Sequence, residues 1–214
     1  MEENILIPEG LEYDENLPVI TDRKIIKRLV YPPKIFLIPT DTCYWIACHV
    51  FDIKSYNKIY EIKGRTFKKP LAVIVPDFEW LREHTILNDE QIEFLKNYER
   101  PFTILTNIKS RKKLIPKNYK MLKKIALRVA NNDTQKEAIQ EHWLLFLTSA
   151  NRSWEADIFK EEELEKVFDK EIDEWVVDIL KPKTWEKKSS NEKSSSDIFA
   201  FIKESTDRFY LRKA

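Results

Sequence analysis

Lys34-Ile35-Phe36-Leu37-Ile38-Pro39-Thr40-Asp41-Thr42-Cys43-Tyr44 decides the fold class. It opens on an apolar run with no polar alternation, which stops at Pro39 and therefore reads as a buried strand. Hydroxyls and a carboxylate follow at once. Open α/β sheets place ligands at strand ends of this kind.

The pattern recurs along the chain that follows that stretch. Asp52 to Lys63 spaces Ile53, Tyr56, Ile59, Tyr60 and Ile62 near helical periodicity, with a stop at Gly64. Leu71–Val75 is a second continuous apolar strand, closed by Pro76. Asn88 caps a helix carrying Ile92, Phe94 and Leu95. Pro101–Thr106 and Lys124–Val129 read as strands, and Asp133 as the cap of a helix to about Glu141. Leu144–Leu147 is a strand leading into Thr148-Ser149-Ala150-Asn151. An acidic helix over Lys160–Phe168 and a strand over Val176–Leu180 follow, and Ile198–Ile202 and Phe209–Leu211 close the chain as strands. Strands alternating with helices predict an α/β (mixed α+β) fold, a single domain with a twisted mixed sheet flanked by helices. Residues 1–24 read as an N-terminal extension, with a short helix over Asp22–Leu29 overlapping its end, and 181–197, rich in Lys, Ser and Glu, as a mobile loop.

Composition narrows the function classes. The chain has 214 residues, enough for one domain with a sizeable core. Its 37 Lys+Arg against 36 Asp+Glu leave no global field to draw nucleic acid or membrane. No apolar run approaches the roughly 18 residues of a membrane span, and Met1-Glu2-Glu3-Asn4 carries acid where a signal peptide carries base. Cys43 and Cys48 do not make a disulfide framework, so a reducing cytoplasm is expected. His49, His84 and His142 share no metal-ligand spacing. The basic run from Arg111 to Lys124 reads as a solvated face more readily than as an RNA contact.

Three polar segments carry the chemistry. Thr40, Asp41, Thr42 and Tyr44 suit a polar substrate, although a strand-end turn explains them as well. Lys63, Arg65, Lys68 and Lys69 around Gly64 make a phosphate clamp or a solvated basic loop, without the second glycine and Ser/Thr of a Walker A loop. Thr148, Ser149, Asn151 and Ser153 present small donors to a nucleotide, or form an ordinary Ser/Asn turn.

In order and spacing these segments resemble the YrdC-type threonylcarbamoyl-adenylate synthase family, from about Ile25 to the C-terminus. The first segment matches the family's opening strand-end motif. Lys63-Gly64-Arg65 through Lys69-Pro70-Leu71 matches Lys-x-Arg…Lys-Pro-Leu, and Ala126-Leu127-Arg128-Val129 matches Leu-Arg-Val. Thr148–Ser153 matches Ser-x-Asn, and Tyr210-Leu211-Arg212 the closing Leu-Arg stretch. The resemblance implies formation of threonylcarbamoyl-AMP and pyrophosphate from L-threonine, bicarbonate and ATP, feeding N6-threonylcarbamoylation of adenosine 37 in tRNA with partner proteins. It places Lys63 and Arg65 as catalytic cations. Thr40, Thr42, Tyr44 and Arg128 then bind the small substrate, and Lys69, Thr148, Ser149, Asn151 and Arg212 bind ATP. Mg²⁺ is expected with the ATP rather than in a protein cage. The competing expectations are a non-catalytic relative that binds tRNA or double-stranded RNA, and a synthase with another acceptor.

Glycine departs from this pattern. Only 2 glycines occur, where average usage of about 7% gives roughly 15, against 6 tryptophans. Trp45, Trp143 and Trp154 stand where the family has glycine, Trp185 falls in another glycine-favouring segment, and Trp80 and Trp175 are less clear. One explanation is UGA codons written as Trp in a source that reads UGA as Gly; the other is a degenerate paralogue. Trp at a position needing φ > 0 costs about 1–2 kcal/mol, and overpacking about 1–3 more. Trp45 and Trp154 are expected to flank the pocket and weaken ATP binding.

Overall fold

A computed structural model describes residues 33–213 apart from Asp41, Lys68, 110–123, Trp154, Trp175 and 180–195. Its elements, in chain order, begin with β1 (Lys34–Pro39), β2 (Tyr44–His49) and α1 (Ile53–Lys63). Then come β3 (Ala72–Val75), α2 (Phe78–His84), α3 (Asp89–Lys96), β4 (Phe102–Thr106), β5 (Ile125–Val129), α4 (Asp133–His142) and β6 (Leu145–Ser149). The last are α5 (Glu161–Glu174), β7 (Val176–Ile179), β8 (Asp197–Phe201) and β9 (Arg208–Arg212).

The strands form one nine-stranded sheet in the order β7-β1-β2-β6-β3-β5-β4-β8-β9. The pairs β1/β7, β3/β5 and β4/β8 are parallel and the other five antiparallel, so the sheet is mixed, as expected. The unalternated run of β1 has a direct cause. Ile35 and Leu37 enter a large core with Tyr56, Ile59 and Tyr60 of α1, Leu81 of α2 and Ile92 of α3. Phe36 and Ile38 enter a smaller core on the other face, with Trp45, Ala47, Ile74 and the α4 residues Ala138 and Ile139. Successive strand side chains point to opposite faces, so both must be apolar where both are covered.

Local signals fix the helices. Asp52 accepts from the Ser55 amide at 3.0 Å as the α1 cap, and its second oxygen accepts from the Lys34 amide at 3.1 Å, tying α1 to β1. Gly64 ends α1 at φ 57, ψ 32, while the amides of Gly64 and Arg65 bond Glu61 O and Tyr60 O, the Schellman pattern. Asn88 and Gln91 close a reciprocal capping box on α3.

Several boundaries differ from those expected. Strand β2 continues the first polar segment through Tyr44-Trp45-Ile46-Ala47-Cys48-His49, and α2 is an additional helix, capped by Asp77. Asn132, not Asp133, caps α4, because its side chain reaches the Gln135 amide. Strand β6 retains Thr148 and Ser149, because its pairing with β2 runs to the Trp45–Ser149 register. Helix α5 continues past Phe168, whose φ −118, ψ 17 marks a kink. The loop expected over 181–197 ends earlier: Ser196 and Asp197 are buried, and Asp197 opens β8 against Phe102. The rest of that loop, the extension at 1–24 and the helix at Asp22–Leu29 lie outside the described residues. Among the described residues no helix is long and apolar enough to cross a membrane.

Candidate active site

Three polar segments far apart in sequence meet where β2 begins and β6 ends. The Tyr44 amide donates to Ile158 O at 2.8 Å and the Ala150 amide to Tyr44 O at 2.7 Å, so the first segment is sewn to the third. Lys63 joins the second to them. As the last residue of α1 it is 2% exposed, and its ammonium donates to Ser149 O at 2.5 Å, to Asn151 Oδ1 at 3.1 Å and to Asn151 O. The Ser153 amide returns a bond to Lys63 O at 2.8 Å, and Arg152 donates to Ile62 O and Val167 O. Burial, and then the neighbouring Arg65 cation, push the Lys63 ammonium down to about 8, against the opposing pull of Asp157.

The geometry reassigns Lys63. An ammonium has three protons, and three acceptors take them. Lys63 therefore holds the Ser149–Asn151 turn in place instead of presenting a free charge to a substrate, as had been expected of it. Ser149 Oγ donates to Asn151 Oδ1 at 2.5 Å, and Asn151 Nδ2 to Glu155 O at 2.7 Å, so these two groups also shape the turn.

Thr40 and Thr42 form a tight hydroxyl turn. Thr40 Oγ1 donates to Cys43 O at 2.7 Å and accepts from the Thr42 and Cys43 amides, with Thr42 Oγ1 3.1 Å away. Asn132 of the α4 cap reaches Pro39 O at 3.4 Å beside it. Two expected members of the site face elsewhere. Tyr44 is buried in the large core, opposite Trp45, and burial raises its phenol. Thr148 stands opposite Ile46 in the register, on the other face from Ser149. Both corrections follow from strand alternation.

The cations approach from different elements. Arg128 of β5 is 3% exposed, with its guanidinium 4.5 Å from the centre of the Trp45 ring. Arg65 is half-buried and bonds Lys69 O at 2.9 Å and Pro70 O at 3.3 Å, while Phe67 stacks on Tyr60 at 4.3 Å to hold that loop down. Lys69 is exposed on the same loop. Arg212 of β9 bonds Ser196 O and Ser196 Oγ, both at 2.9 Å; burial lowers its pKa, and it feels both Asp157 and Arg128.

Asp157 is the residue that sequence reasoning missed. Its charge acts on Cys43, Lys63 and Arg212 together, which places it among the cations. Nothing in its local sequence marks it, because the loop after Ser153 has neither periodicity nor motif. Cys43 is a neutral thiol, pushed up to about 12 by burial and then by Asp157, so it is a packing group and not a nucleophile. Among the described residues no group of three His, Cys, Asp or Glu side chains could hold a metal ion. An open cavity of about 810 Å³ lined by Glu90, Phe94, Tyr98 and Arg208 lies at the β9 edge and contains none of these site residues.

A family model described as "Telomere recombination", Sua5/YciO/YrdC, matches residues 32–190. The chain belongs to the Sua5/YciO/YrdC family. A family member of Methanocaldococcus jannaschii named "Putative threonylcarbamoyl-AMP synthase" is 28% identical over 183 residues, which are 85% of this chain and 84% of that protein. Among solved family structures, P. abyssi Sua5 complexed with L-threonine has a TM-score of 0.65 at 19% identity. That match takes in 88% of this chain and 53% of Sua5, so the chain spans about half the length of that protein. E. coli YciO has a TM-score of 0.64 at 14% identity, with 90% of each chain matched. These structures share the mixed α/β sheet.

Proposed function

We propose that this chain is a threonylcarbamoyl-AMP synthase, converting L-threonine, bicarbonate and ATP to threonylcarbamoyl-AMP and pyrophosphate. The observation that carries this is the convergence of the three strand-end segments on one cation-rich corner, with Arg65, Arg128 and Arg212 reaching it from different elements. The curated relative with that name, similar over most of both chains, supports the reading.

The chemistry suits such a corner. The threonine amine adds to the bicarbonate carbon with loss of water, giving a carbamate. A carbamate oxygen then bonds to the α-phosphorus of ATP while the bond to the bridging oxygen breaks, and pyrophosphate leaves with that electron pair. Both reactants are anions, so alignment and charge neutralisation supply most of the rate. Arg65 and Lys69 are placed for the polyphosphate, Arg128 and Arg212 for the carbamate and α-phosphate, and Thr40 and Thr42 for the threonine side. Lys63, Ser149 and Asn151 fix the nucleotide-facing turn. This cationic, hydroxyl-rich donor set does not fit a protein-held Mg²⁺, so the ion is assigned to the polyphosphate itself. Transfer of the threonylcarbamoyl group to tRNA, with AMP leaving, belongs to a partner enzyme.

The RNA-binding alternative rests on the basic run from Arg111 to Lys124, of which only Lys124 lies among the described residues, and no observation favours it. The test is pyrophosphate release from ATP, with threonine and bicarbonate each present or omitted. It is run on this chain and on one carrying glycine at all six tryptophan positions. Release that needs both small substrates in either chain supports the synthase; absence of turnover in both rejects it.

A further inference from the structure

Trp45 occupies the centre of the proposed site. It lies on β2 with its side chain on the smaller-core face, 7% exposed. Two groups assigned to substrate contact it, and a residue of the nucleotide-facing turn is its neighbour across the strands. Its indole Nε1 donates to Thr42 Oγ1 at 3.2 Å. The Arg128 guanidinium lies over its ring at 4.5 Å. Ser149 is its register partner on β6, so the two side chains leave the sheet on the same side. A hydroxyl, a guanidinium and a second hydroxyl are the groups that recognise the hydroxyl and carboxylate of a small amino acid or the oxygens of a phosphate. Here the indole bonds the first, covers the flat face of the second and stands beside the third. An aromatic side chain of this type buries roughly 150–250 Å², which is space that a ligand bridging these groups needs.

We infer that Trp45 is the steric determinant of what this site admits. Its indole occupies the space beside Thr42 and Arg128, on the sheet face that Ser149 shares, so the chain excludes occupants that glycine at 45 would admit. The inference rests on the synthase reading, and the experiment separates the two. Binding of glycine, alanine, serine and L-threonine is measured calorimetrically in the presence of a non-hydrolysable ATP analogue. The chains compared are this one, Trp45→Gly, Trp45→Ala and Trp143→Gly, each checked for folding by thermal denaturation. Trp45→Gly is expected to tighten L-threonine binding about tenfold or more. Trp45→Ala should fall between, the gain should grow from glycine to threonine, and Trp143→Gly should leave affinity unchanged. Trp45→Ala serves alone if the glycine variant does not fold. Equal affinities and equal size preference across the folded chains overturn the steric role while leaving the synthase standing. Failure of every folded chain to bind amino acid or nucleotide overturns both.

A second observation stands apart from the site. Trp143 has φ 62, ψ −153, a backbone region that is essentially reserved for glycine. Together with 2 glycines against 6 tryptophans in the chain, the geometry points to a glycine position, and we propose that codon 143 is UGA and that its source reads it as glycine. The gene sequence and peptide mass of the protein from its natural source decide this. UGA with a glycine-containing peptide supports it; UGG, or tryptophan in that peptide, overturns it.

Discussion

Two helices end in the same way at opposite ends of β6, and the contrast between them separates what the fold demands from what the residue supplies. Helix α1 ends on the buried base Lys63 followed by Gly64 at φ 57, ψ 32. Helix α4 ends on the half-buried base His142 followed by Trp143 at φ 62, ψ −153. At both of these exits the backbone turns through positive φ, whereas the exits at Thr85 and Asn97 keep negative φ. At the first end glycine makes that turn without strain, and the base is stapled to the exit of β6. At the second end a tryptophan makes it, feeding the entrance of β6, and His142 packs on Phe36 at 4.4 Å. Positive φ is a property of these two exits, adopted by glycine at one and by tryptophan at the other. One end is therefore set up to position a site, and the other carries strain.

The largest effect should come from breaking the stapled end. Lys63→Met keeps the aliphatic stem but takes the ammonium from the Ser149 and Asn151 carbonyls, leaving Asn151 Oδ1 only the Ser149 hydroxyl, and is expected to cost about 3 kcal/mol. His142→Ala, at the other end, removes a ring contact worth roughly 1 kcal/mol. Urea unfolding of the two variants tests this; equal losses would erase the functional difference between the ends. Pyrophosphate release should fall with Lys63→Met even where the protein is folded, because the Ser149–Asn151 turn loses its anchor.

Acid should act at the β6 entrance instead. His49 pairs with Leu145 there, is 2% exposed, and accepts from the Phe51 amide at 3.1 Å, while its Nε2 has no partner among the described residues. Burial, then the nearby His142, push its imidazole down to about 3. An unfolded histidine takes up a proton below about 6.5, whereas the folded one stays neutral until far lower pH. The stability this group contributes is thus complete above pH 6.5 and is lost as pH falls towards 3. From pH 6.5 to 5 the loss should reach about 2 kcal/mol. His49→Gln, which keeps an acceptor, should flatten the slope over that interval; an unchanged slope would assign acid sensitivity to other groups.

The strained end can be relieved directly. Trp143→Gly removes about 1–3 kcal/mol of backbone strain, partly offset by lost packing against the large core and by glycine's added freedom in the unfolded chain. A net gain of about 1 kcal/mol is expected. Trp143→Ala retains a Cβ in the same region and also loses the packing, so it should destabilise. Opposite signs for the two substitutions in thermal unfolding would establish the strain, and matching signs would remove it.

Much of this was legible in the sequence, and the omissions have physical causes. Strand β1, helix α1 with its Gly64 stop, and β3 to β5 were readable because apolar runs and cap residues act locally. The meeting of the three polar segments was readable only through their order and spacing. The direction of each side chain was not readable, since a motif has no face until its strand has a register. Tyr44 therefore turned into the large core and Thr148 to the same face as Ile46, while Trp45 and Ser149 turned towards the site. Lys63 illustrates the same limit. A lysine followed by Gly-Arg reads as a phosphate ligand, and only the distance from α1 to the β6 turn reveals three internal acceptors. Asp157 carries no local signal at all. Trp143 stands where the family pattern has glycine in a chain short of glycine, and its dihedral angles supply the reason.

The smallest effect belongs to Gly64. A Cβ there would meet nothing within 4 Å among the described residues, so the φ of +57 is what opposes substitution. Gly64→Ala is expected to cost about 1 kcal/mol, and Gly64→Asn roughly half as much, because asparagine tolerates left-handed backbone. Both variants should keep the Lys63 staple and hence threonine-dependent turnover. A much larger loss for Gly64→Ala, or loss of turnover in the asparagine variant, would mean that the α1 exit cannot yield even slightly. The two helix ends would then differ in rigidity as well as in strain, and Lys63 would owe its position to the Gly64 turn as much as to its own three hydrogen bonds.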